Sequence, residues 1–126
     1  MKKPFELLSA IAQRPVRKEF GAVFAKAFSK KFTNRTTEEE FVAAGIICSL
    51  FLSSILEGFP TIKLHTFVRN IRDEYSLFTF DCKSYDPLYE SIEKNEILLL
   101  DKNCEYQTRN IAKNDILEAF DFFTNR

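Results

Sequence analysis

Residues 41–56 read FVAAGIICSLFLSSIL, a run of sixteen residues with no charge and no proline. Glu38, Glu39 and Glu40 stand before it, and Glu57, Gly58 and Pro60 follow. Thr36 and Thr37 each have a glutamate three residues on, the spacing of a capping box. The carboxylates suit the positive end of a helix dipole. Gly58 can take the left-handed turn that closes a helix, and Pro60 cannot continue one. Apolar residues fall on every side, so the segment is expected to be a helix buried nearly all round. A membrane span is the competing reading. The run is shorter than the ~20 residues a bilayer requires, and Cys48, Ser49, Ser53 and Ser54 dilute it further.

Around that helix, the 126-residue chain has room for one domain with a real core. It holds fourteen phenylalanines, no tryptophan, three glycines and four prolines. So few turn-formers favour helices joined by short links over a turn-rich β fold. Cys48, Cys82 and Cys104 are odd in number and far apart. With no signal peptide in view, they point to a reducing cytoplasm.

Formal net charge is zero, but it is unevenly spread. Residues 1–36 carry nine Lys/Arg against Glu6 and Glu19, giving +7, and residues 37–126 carry nine against sixteen acids, giving −7. The division suggests a basic N-terminal helical extension, 1–36, on a main body, 37–126, forming one unit. Either the basic part meets nucleic acid or an acidic partner, or the two halves attract each other, within one molecule or between two.

In the N-terminal part, Phe5, Leu8, Ile11 and Ala12 mark a helix over 4–13 that Pro15 ends. Residues 16–32 read as a second helix. Phe20, Phe24, Phe28 and Phe32 recur every four residues along it, a stripe that belongs in a core or at a subunit interface. Lys18, Lys26, Ser29 and Lys30 make its polar side, with Lys31 and Arg35 just beyond.

After the central helix, residues 61–74 predict an amphipathic helix. Leu64, Phe67, Val68, Ile71 and Tyr75 lie inside it, and His65, Arg69 and Arg72 outside. Residues 76–82 read as a short strand or extended loop. Pro87 suits the first turn of a helix from Tyr85 to about Asn95. ILLLD and EYQTR flank a Lys-Asn turn and read as a β-hairpin, with Asn103 supplying the positive φ. A last helix runs from Lys113 or Asn114 through Phe123. The predicted fold class is mainly α with a small β-hairpin.

Three helices, a two-stranded hairpin and a helix is the order of a winged helix. The segment SIEKNEILLLDKNCEYQTRN resembles the end of that fold's third helix with its wing, and the resemblance covers about residues 40–123. Within that group, KLHTF, FTFD and YDPLYESIEKN are similar to small winged-helix proteins of Panacea type. They also resemble small middle subunits of ATPase-based phage-defence systems. Those proteins carry a Tyr-Gly-Pro turn before the third helix, where this chain has Asp86.

A winged helix implies DNA binding, but the third helix shows Asp86, Glu90, Glu93 and Glu96 against Lys94 alone. Carboxylates are repelled from a phosphate-lined groove, and base edges are read by Arg, Lys, Asn or Gln. An acidic helix is better matched to a basic protein surface. The favoured expectation is therefore a non-enzymatic protein-interaction module, an accessory subunit or a neutralising antitoxin. It would bind its partner through Asp86, Glu90 and Glu93, and pair with a second copy through Phe20, Phe24 and Phe28. The alternative is a DNA-binding regulator gripping phosphates through Lys26, Lys30, Arg69, Arg72, Lys102 and Arg109. No catalytic, metal or cofactor site is expected. His65 is alone, no Cys/His pair has zinc spacing, and Gly21, Gly45 and Gly58 are isolated rather than forming a phosphate loop. Cys48 falls in the buried helix. Cys104 is expected at the exposed tip of the wing, where a weak thiol-enzyme reading would place its nucleophile.

Overall fold

Thr37 opens the central helix as its spacing predicts: the Glu40 N–H donates to Thr37 Oγ1 at 3.3 Å, and the helix α3 runs Glu38–Glu57. Gly58 closes it at φ 78°. The structure, a computed structural model, describes residues 3–32 and 37–125. The other capping candidate, Thr36, and the cation Arg35 lie outside the described residues. The element order is α1 (Pro4–Ala12), α2 (Ala22–Lys31), α3, α4 (Thr61–Glu74), α5 (Tyr85–Glu90), β1 (Glu96–Leu100), β2 (Tyr106–Asn110) and α6 (Lys113–Asn125). The chain is mainly α with one small antiparallel hairpin, as its patterning predicts.

By length and composition α3 could cross a membrane. Here α1, α2, α4, α6 and β1 pack around it instead, and eleven of its residues are buried. That is the pattern of a core helix. The burial is not complete all round, because Ile55 on its last turn is 47% exposed.

The second helix starts six residues later than its periodicity suggests. Residues 18–21 form turns, and Gly21 caps α2 at φ 80°. The cause is a backbone-on-backbone contact with α3. A Cβ on Gly21 would lie 2.8 Å from the Gly45 carbonyl carbon, and a Cβ on Gly45 would lie 2.3 Å from the Gly21 oxygen. Only two glycines allow the chains so close. Phe20 thus sits before the helix, yet it is buried all the same.

Burial of α2 builds an aromatic core. Phe28 contacts the rings of Phe78, Phe80, Phe120 and Phe123 at centroid distances of 5.3–5.9 Å. Phe24 meets Phe120 edge-on at 6.0 Å. Phe78 and Phe80 come from residues 75–81, an irregular link between α4 and the 3-10 turn Cys82–Ser84. No strand forms there; alternate side chains simply drop into the cluster. Each pair of this kind adds about 0.5–1.5 kcal/mol beyond the area it buries.

The hairpin pairs Glu96 with Asn110 through Leu100 with Tyr106. Ile97, Leu99 and Leu100 are buried, whereas four residues of β2 are exposed. Ser53, a buried hydroxyl in α3, docks the hairpin. It accepts from the Leu100 N–H at 2.9 Å and donates to the Ser49 carbonyl at 2.7 Å. In the turn, Asp101 Oδ1 accepts from the N–H groups of Asn103 and Glu105 at 2.8 and 3.0 Å. These bonds, that from Glu105 foremost, hold its carboxyl below the ordinary value. The positive φ falls on Cys104, at 59°, and not on Asn103.

Candidate protein-docking face

The structure uses most of the charges that the sequence suggests for partners. The third helix is short: α5 stops at Glu90, and Ser91 and Ile92 turn back to the carbonyls of Leu88 and Tyr89. Glu93 therefore lies beyond the helix. There it binds Lys30 at 2.6 Å and Lys26 at 3.1 Å. Hydrogen bonds from these two ammonium groups hold the Glu93 carboxyl below its ordinary value. Asp86 pairs with Lys113 at 3.3 Å. Glu90 and Glu96, the latter already in β1, make no ion pair among the described residues. The continuous acidic helix expected to face a basic partner is thus replaced by a six-residue helix in which Asp86 is met from α6, with Glu93 beyond it met from α2.

The basic positions fare similarly. Lys26 and Lys30 hold Glu93, and Arg72 Nη2 donates to the Phe123 carbonyl at 3.0 Å. Arg109 donates to the Leu56 carbonyl and to Glu57, both at 2.9 Å. Arg69 and Lys102 remain exposed. Within the described residues, the opposed halves of the chain do meet, at Lys26 and Lys30 with Glu93.

Phe20, Phe24 and Phe28 are all in the interior. The cover that this stripe requires comes from α3, α6 and the 75–81 link of the same chain, so these rings present no surface to a second copy. Cys104 is also turned inward, 4% exposed, with Lys63 Nζ 3.8 Å from its sulfur. It is not the exposed tip thiol that the hairpin pattern suggests. Burial pushes the Cys48 thiol well above its ordinary value, which suits an inert core residue.

What the fold leaves in solvent is aliphatic. Ile62, in the first turn of α4, is 76% exposed, and Ile55 is 47% exposed. Phe51, half-buried one turn before Ile55, stacks on the buried Phe122 of α6 at 4.8 Å, and the His65 ring lies 6.3 Å from Phe122. Phe51, Glu118, Asp121 and Phe122 line a cleft between α3 and α6. Sequence reading missed both exposed isoleucines. Ile55 counts as one more apolar residue in an apolar helix, and Ile62 precedes the amphipathic stripe of α4. The signal it offers is Ile62 standing one turn before His65 and two before Arg69, on the polar side of the helix.

A second feature is an open groove of about 620 Å³ where α3 begins and α4 ends. It is lined by Thr37, Glu38, Glu39, Glu40, Glu74, Tyr75 and Ser76. The Tyr75 hydroxyl donates to Glu39 Oε2 at 2.9 Å. Desolvation first, then the bond and charge of Glu39, push the Tyr75 phenol up to about 12 from 10.0. Its folded value is raised, so its contribution to stability is full below pH 10 and is lost as pH rises through 12. An ultraviolet titration is expected to show a late-ionising tyrosine, with the urea midpoint falling over the same window; Tyr75→Phe should remove that late component. Among the described residues no group of three or more His, Cys, Asp or Glu is placed to hold a metal ion.

No protein-family profile matches the chain, and no solved structure matches it. Along 91 aligned residues it is 40% identical to a protein described as 3-dehydroquinate synthase from Parabacteroides distasonis. The match covers 65% of this chain and 26% of that protein, so the chain spans about a quarter of that relative's length.

Proposed function

We propose that this chain is a non-enzymatic protein-interaction module, working in the cytoplasm as an accessory subunit of a larger assembly. The observation that carries this reading is the exposure of two large aliphatic side chains, Ile55 at 47% and Ile62 at 76%, on a fold with a large buried core. A large aliphatic side chain fully withdrawn from water is worth about 1.5–3 kcal/mol, so two such residues left in solvent favour a protein contact. The similarity to part of a 3-dehydroquinate synthase fits a helical segment that shares ancestry with an enzyme and acts without its reaction. The candidate nucleophile Cys104 is enclosed, and His65 lies against an aromatic ring at the surface.

The winged-helix order offers a second reading, a DNA-binding regulator, for which exposed Arg69 on α4 and Lys102 on the hairpin turn speak. Against it, Lys26, Lys30, Arg72 and Arg109 are occupied within the chain.

One experiment separates the two. Tagged protein is purified from its native host with and without nuclease, beside Ile55→Asp/Ile62→Asp. A protein partner retained after nuclease and lost in the variant is the expected result; the partner counted includes an untagged copy of the chain. Capture that disappears with nuclease, together with duplex binding that weakens steeply with salt and on Arg69→Ala, would overturn it.

A further inference from the structure

We draw no further inference here: the strongest candidate, the solvent-facing Ile55 at the end of α3 with Ile62 at the start of α4, belongs to the site already described, and nothing in the structure shows what covers it.

Discussion

Gly45→Ala should be among the most damaging single-methyl changes available to this chain, lowering stability by about 3 kcal/mol or more. The new Cβ would stand 2.3 Å from the Gly21 oxygen and 2.9 Å from the Ala25 nitrogen. Both obstacles are backbone, at the start of α2, so no rotamer change relieves them. The Ala25 N–H donates to that same Gly21 oxygen at 3.0 Å; moving α2 away would disturb its first hydrogen bond as well. Gly58→Ala is the control. Gly58 also has a positive φ, 78°, but its nearest obstacle is the Lys102 Cβ at 3.6 Å. Only conformational strain remains there, about 1–2 kcal/mol. Urea unfolding of the two variants checks the ranking. Equal midpoints would mean that α2 and α3 are not in backbone contact.

Phe28→Ala is expected to cost about 3–5 kcal/mol. Phe28 is fully buried and touches four other rings. Removing it leaves a cavity whose walls come from α2, the 75–81 link and α6. Those elements are far apart in sequence and cannot all shift inward together. Phe32→Ala, half-buried at the edge of the cluster, should cost less than half as much. A loss under about 1 kcal/mol for Phe28→Ala, read from the same urea curves, would show that the ring cluster does not hold α2 in place.

The parts of this fold that can be read from sequence are those written locally. The threonine–glutamate spacing, the uncharged run and the closing glycine define α3 without help from elsewhere. Alternation and a polar break define the hairpin. The misreadings occur wherever a distant residue decides. Periodicity alone cannot show that Gly21 must meet Gly45, so it places Val16 and Phe20 inside a helix that starts at Ala22. Likewise the acids after Glu90 look like a continued helical face, whereas Glu93 is reached across space by Lys26 and Lys30.

The candidate site was less legible still, and for the same reason. A phenylalanine stripe announces a need for cover but not who supplies it; here the chain supplies its own. A serine in an apolar helix reads as dilution, yet Ser53 is the point where β1 attaches. Ile55 carries no local mark and Ile62 only its place on the polar side of α4, since exposure is settled by which neighbours fail to arrive. Conversely, Asp86, Arg72 and Arg109 advertise themselves as ligands for a partner, and each is satisfied inside the molecule.

The aromatic cluster also constrains how this protein is made. Its rings are contributed by α2 near the start and by α6, almost a hundred residues later. Until α6 leaves the ribosome, Phe24 and Phe28 lack the cover that Phe120 and Phe123 supply. Closure over so long a sequence separation is intrinsically slow. Throughout synthesis such a chain is a natural client for chaperones that shield apolar peptide.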